Sequence, residues 1–123
     1  MLKTAVEAIN VIGSSTCVIV TLNEDEPFAH SCNLGDSSFL HVRDGEALYR
    51  AREQTQGFNF PLQVGSHGND PGLADLRSHP VEAGDLFVLA SDGLFDNLYQ
   101  EDAMEIIQEH MNSTEEKIAD ALA

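Results

Sequence analysis

Six Lys and Arg against 21 Asp and Glu leave the 123 residues at a formal charge of −15, which excludes a surface that must supply cations to nucleic-acid phosphates. With 42% apolar and 22% charged residues the composition is that of a globular chain rather than a disordered one. A domain of this length buries roughly two-thirds of its unfolded surface and needs no disulfide or structural metal merely to hold a core.

Cys17 and Cys32 do not stand in CxxC spacing, so neither a zinc ribbon nor a disulfide framework is indicated, and a reducing, intracellular compartment is expected. No apolar run approaches the ~18 residues of a membrane span. The opening Met1-Leu2-Lys3 lacks a signal peptide's apolar segment, and no transit segment is visible.

Leu2, Ala5, Val6 and Ile9 fall at helical spacing and predict a helix over residues 2–10, stopped by Gly13-Ser14-Ser15. The β-branched run at 16–22 predicts a buried strand. A polar turn at 23–27, containing Pro27, returns the chain as a strand over 28–34. Two further strands, 37–43 and 46–52, are joined by Asp44-Gly45, whose tolerance of positive φ suits a tight reversal. These four strands are expected to run consecutively and antiparallel.

Residues 53–80 are polar, interrupted by Gly and Pro, and sustain no period, so they read as one long loop within the domain. A loop of that length is expected to be functional, or to cover a surface through Phe58, Phe60 and Leu62. Gly84-Asp85 then opens the apolar run 86–90, which has the length of a strand buried on both faces, and Ser91-Asp92-Gly93 ends it. Beyond Asn97, the residues Ala103, Ile106, Ile107 and Met111 share one helical face. Ser113-Thr114-Glu115-Glu116 offers a capping box for a last helix carrying Ile118 and Leu122, and the sequon Asn112-Ser113-Thr114 reads as part of that cap. Strands segregated from the later helices favour an α+β class.

Two aspartates stand where strands leave the core. Asp92 follows five apolar residues and precedes Gly93, a place where a carboxylate either accepts amide hydrogen bonds in a turn or holds a hydrated cation. Asp36, in Gly35-Asp36-Ser37-Ser38, repeats the arrangement, and the two converge on one ion if their strand ends lie on the same side. Asp96 is expected to cap the following helix. Haloacid-type phosphatase chemistry is excluded, because Ala90 and Leu94 stand where its second aspartate is required. His30, His41, His67, His79 and His110 show no metal-ligand spacing, and no GxGxxG, GxxxxGK or GxSxG occurs.

GSSTC at 13–17, NLGDSSFL at 33–40, RDGEALYR at 43–50, GFNFP at 57–61 and GDLFVLASDGLFDN at 84–97 together resemble the protein phosphatase 2C family. Within it they resemble the subgroup of the T-cell-activation protein phosphatase homologue. That resemblance implies a partial antiparallel β-sandwich flanked by helices and a serine/threonine phosphatase acting on phosphoproteins through a metal-bound hydroxide, with Mg²⁺ or Mn²⁺ as cofactor. By position, Asp92 matches a direct metal ligand and Asp36 a carboxylate associated with a further, weaker ion. The loop 53–80 matches the family's variable segment beside the active site. A mitochondrial or chloroplast setting is usual for the subgroup.

The family's other carboxylate ligands and its phosphate-binding arginine have no counterpart in residues 1–123, which are therefore expected to form the middle-to-late part of a phosphatase domain. The reading from another class is a non-catalytic, phosphatase-like binding or structural subunit, whose open sheet edges a protein partner would cover. A third is a self-sufficient small α+β domain holding a cation at Asp36 and Asp92.

Overall fold

Hydrogen bonding divides the strands into two three-stranded antiparallel sheets and two short ladders. The computed structural model describes residues 2–123. In chain order the elements are α1 (Leu2–Glu7), β1 (Ser14–Ser15), β2 (Cys17–Leu22), β3 (Phe28–Leu34), β4 (Ser38–Arg43), β5 (Glu46–Arg50), β6 (Thr55–Gly57), β7 (Phe60–Pro61), β8 (Val64–Gly65), a 3-10 turn (Pro71–Leu73), β9 (Asp75–Pro80), β10 (Leu86–Ala90), α2 (Asp92–Phe95), α3 (Gln100–His110) and α4 (Glu115–Leu122). One sheet runs β2-β3-β9 and the other β10-β4-β5, while β1 pairs with β8 and β6 with β7.

Alternation along β4 builds two interiors from one strand. Leu40 and Val42 point to the helices and join Phe95, Ala103, Met104, Ile107, Ile118 and Leu122 in one buried cluster, with Leu86 and Val88 packed against it. Fully burying one such side chain contributes about 1.5–3 kcal/mol. Phe39 and His41 point to the other sheet. The Phe39 ring meets His79 of β9 edge-on at 5.5 Å, Tyr49 lies 4.7 Å from the same imidazole, and His41 stacks on Phe87 at 4.4 Å. His79 Nε2 and Ser31 Oγ, both in buried residues, are 2.9 Å apart. The result is the expected α+β class, a partial antiparallel sandwich with helices packed on the outer face of one sheet.

Asp85 anchors the start of β10. Its carboxylate accepts from Arg43 Nε at 2.7 Å, Arg43 Nη2 at 2.8 Å, His41 Nε2 at 2.8 Å and the Glu82 amide at 3.0 Å. The hydrogen bonds from Arg43 hold its carboxyl well below the usual carboxylate range against the opposing pull of burial. Arg43 also reaches Glu82 and the Pro80 carbonyl, so this network ties β4 to the segment joining β9 and β10.

Several expectations are corrected. The stretch 53–80 is not one loop: it holds the β6–β7 hairpin, β8, a 3-10 turn and the whole of β9, which pairs with β3 from Phe28↔Pro80 to Asn33↔Asp75. The alternation of β9 is hidden because its buried inward side chain is a histidine and its Leu76 is 71% exposed. Phe58 and Phe60 cover nothing, since both are exposed, and only Leu62 is half-buried.

The four early strands form two hairpins in different sheets, because the chain crosses between the sheets at Gly35 rather than pairing β3 with β4. The apolar run of β10 is an edge strand with Leu89 43% exposed, not a strand buried on both faces. Asp96 ends α2 instead of capping α3, whose N-cap is Tyr99, and Thr114 precedes α4 without a side-chain capping bond. Asp44 and Gly45 do take positive φ, 50° and 78°, at the β4–β5 reversal.

Candidate metal cleft

Antiparallel register decides where the two candidate aspartates lie. β10 pairs with β4 from Leu86↔Val42 to Ala90↔Ser38, and continuing that register by two residues sets position 92 against position 36 where both strands leave the sheet. Both side chains line one cleft of about 410 Å³. Neither carboxylate accepts a hydrogen bond from the protein among the described residues, so the turn-aspartate alternative, in which amide donors occupy the oxygens, does not describe either of them. Asp36 is half-buried and Asp92 exposed.

Local backbone geometry explains the placement. Gly35 has φ +105°, and a Cβ there would lie 2.5 Å from both the Leu62 carbonyl oxygen and Thr16 Cγ2. Only glycine lets the chain turn from β3 into Asp36 at this close approach. Gln54 fixes the crossing, its side-chain Oε1 accepting from the Gly35 amide at 3.3 Å and its amide donating to the Gly35 carbonyl at 2.8 Å. On the other strand Ser91 is extended and Asp92 begins α2. That turn is closed by Asn97 Nδ2 donating to the Gly93 carbonyl at 2.9 Å.

The remaining lining comes from Ser14, Ser15, Thr16, Ser37, Asn59, Pro61, Gln63 and Ser91. The Thr16 and Ser37 hydroxyls are 2.7 Å apart, and the Ser14 hydroxyl donates to Gln63 Oε1 at 2.5 Å. Sequence reasoning singled out only the two aspartates. For all of the others but Gln63 the signal was nevertheless present, because GSSTC, NLGDS, GFNFP and ASDG, separated by up to some 80 residues, all send side chains into this one cleft.

Carboxylate, hydroxyl and amide oxygens without sulfur are the donor set of hard cations such as Mg²⁺ and Mn²⁺. The set suits such an ion in kind but not in number: among the described residues no three His, Cys, Asp or Glu side chains cluster closely enough to hold a metal. A larger depression of about 770 Å³ lies on the outer face of the β2-β3-β9 sheet, lined by Ile19, Thr21, His30, Cys32 and Leu76 among others. It brings no pair of acidic side chains together. Burial pushes the free Cys17 and Cys32 thiols up, which leaves them poor nucleophiles.

A protein-family model described as stage II sporulation protein E (SpoIIE) matches residues 2–123. The chain belongs to the SpoIIE family of protein phosphatase 2C-type domains. This SpoIIE-family chain is 39% identical over 116 residues to the protein phosphatase PTC7 homolog fig of Drosophila willistoni, an alignment covering 87% of the chain and 37% of that protein. Its fold matches the X-ray structure of the photosystem II phosphatase PBCP with a TM-score of 0.91 at 28% identity, over 99% of the chain and 48% of that structure.

The catalytic domain of the serine/threonine protein phosphatase PstP, solved in complex with two manganese ions, shares the fold at a TM-score of 0.67 and 23% identity, over 89% of the chain and 52% of that domain. The SpoIIE-family chain thus spans less than two-fifths of the first curated relative it matches and about half of these solved structures. No helix among the described residues is long and apolar enough to cross a membrane.

Proposed function

We propose that residues 1–123 are the middle-to-late part of a metal-dependent protein serine/threonine phosphatase domain, in which Asp92 and Asp36 contribute ligands to Mg²⁺ or Mn²⁺. The single observation that carries this reading is the convergence of four separated motifs on one cleft, where two carboxylates are left free of protein hydrogen bonds. Carboxylates that line one cleft with no protein donor on their oxygens are free to ligate a divalent ion. The PstP structure, with its two manganese ions, supports the choice of metal.

When bound, such ions supply Lewis-acid neutralisation of phosphoryl oxygens and activation of water for attack on phosphorus. The chain's own residues hold and shape the site. Gly35 and the β4–β10 register support placing Asp36 and Asp92 on one cleft, and the linked Thr16 and Ser37 hydroxyls fix the wall beside Asp36. The substrate class is a phosphoprotein carrying phosphoserine or phosphothreonine, and the resemblance to the PTC7 homologues extends to a mitochondrial or chloroplast setting.

The test is hydrolysis of a phosphoserine peptide by the chain extended to the length of its relatives. Turnover is expected to require Mn²⁺ or Mg²⁺ and to be lost in Asp92→Asn. Undiminished turnover in that variant, or no turnover by the extended protein, contradicts the proposal.

One observation favours the second reading, a non-catalytic binding or structural subunit. Only two acidic side chains meet in the cleft, and no cluster of three exists among the described residues. In that reading a protein partner covers the edges of β10 and β2. No uptake of Mn²⁺ together with a defined hetero-complex by size measurement selects it.

A further inference from the structure

A phosphate monoester brings close to two negative charges, yet none of the residues lining the Asp36–Asp92 cleft is Lys or Arg. Metal ions answer part of that charge, and the other phosphoryl oxygens need N–H or O–H donors. Among the lining residues, side-chain N–H groups come from Asn59 and Gln63.

Asn59 sits in the turn between β6 and β7 with φ +51°, one of two non-glycine residues with positive φ among those described. Glycine meets that backbone demand without a side chain, so what Asn adds at this position is its amide, exposed at the mouth of the cleft. Gln63 is held more firmly. Its backbone amide donates to Asn69 Oδ1 at 2.9 Å, its carbonyl accepts from the Asn69 amide at 2.6 Å, and its Oε1 accepts from the Ser14 hydroxyl. Those bonds orient the carboxamide and leave Nε2 without a protein acceptor among the described residues.

We infer that Asn59 and Gln63 are substrate-binding residues of this site, donating from Nδ2 and Nε2 to phosphoryl oxygens of a phosphoserine or phosphothreonine side chain. The inference rests on the metal-phosphatase reading.

The experiment uses the chain extended to the length of its relatives and a fluorescent peptide carrying the non-hydrolysable phosphonomethyl analogue of phosphoserine, with the serine peptide as reference. Affinity is read by anisotropy, and Mn²⁺ uptake by separate titration. Asn59→Gly keeps the backbone conformation and Gln63→Leu keeps the bulk. Each is expected to weaken the phosphonate peptide by about tenfold, the effect of one hydrogen bond to a charged group, with Mn²⁺ affinity unchanged and cooperative thermal unfolding retained. Gln63→Glu is expected to weaken it further.

Unchanged phosphonate affinity in Asn59→Gly and Gln63→Leu overturns the inference. So does a Mn²⁺-loaded wild-type chain that binds both peptides equally. Failure of the underlying metal reading is distinct: the wild-type chain then takes up no Mn²⁺ at all, and the inference falls with it.

Discussion

Replacing Asp85 with Asn tests whether the start of β10 is held by charge. The carboxylate is 4% exposed and accepts four hydrogen bonds. An amide that puts its NH₂ at the Oδ2 position faces three donors: Arg43 Nη2, His41 Nε2 and the Glu82 amide. Turned the other way it faces one, Arg43 Nε at 2.7 Å. The cheaper orientation still loses one charge-assisted bond and weakens the others from ionic to neutral.

Breaking a buried ion pair costs about 3–5 kcal/mol. Here the loss is discounted, because Arg43 is 24% exposed and keeps Glu82 and the Pro80 carbonyl. A loss of about 2–3 kcal/mol remains, or on the order of 10 °C in thermal midpoint for a chain of this size. Urea unfolding near neutral pH should show a lower midpoint at unchanged slope.

The pH dependence follows from the direction of the shift. A carboxylate held below its unfolded value contributes its stability above pH ~4 and loses it as pH falls through the folded pKa. The difference between wild type and Asp85→Asn should therefore shrink in strong acid. A difference under about 0.5 kcal/mol at neutral pH, within the usual range of surface substitutions, or one that grows in acid, refutes the reasoning.

His79 should make stability fall on acidification at milder pH. Burial first, and the neighbouring His41 and Arg77 next, push its pKa down, with Asp75 opposing. Its contribution is full above about pH 6.5 and is lost as pH drops through the lowered value. His79→Gln should flatten the decline in urea midpoint between pH 7 and 5, and an unaltered slope counts against this account. Gly35→Ala should destabilise by about 2 kcal/mol or more, since φ +105° and a contact with the Leu62 carbonyl oxygen combine strain with overpacking. A thermal midpoint within about 2 °C of wild type contradicts it.

Much of the fold is written in local pattern. The apolar run of 86–90 and the helical face of Ala103, Ile106 and Ile107 report burial against neighbours, which periodicity captures directly. The strand β9 escaped because its inward contact is made by His79, a polar residue paired with Ser31 and wedged among aromatic rings. No hydropathy pattern registers such a residue as core. The division into two sheets escaped for a different reason, since it turns on the positive φ of Gly35 and on Gln54, nineteen residues away, bonded to its amide and carbonyl. At the site, Asp36 and Asp92 stood out as charges at strand ends. The polar residues around them are short hydroxyls and amides, ordinary on any surface, and only the approach of β1, β7 and the residues following it to the end of the β10-β4-β5 sheet gives them a common purpose.

Titration with Mn²⁺ of the chain extended to the length of its relatives, followed by loss of the free-ion paramagnetic resonance signal, bears most directly on the cleft as a metal site. The extended wild type should take up Mn²⁺, Asp36→Asn and Asp92→Asn should each bind it more weakly, and the double variant more weakly still. Uptake that survives both substitutions unchanged, or no uptake by the wild type, contradicts the account.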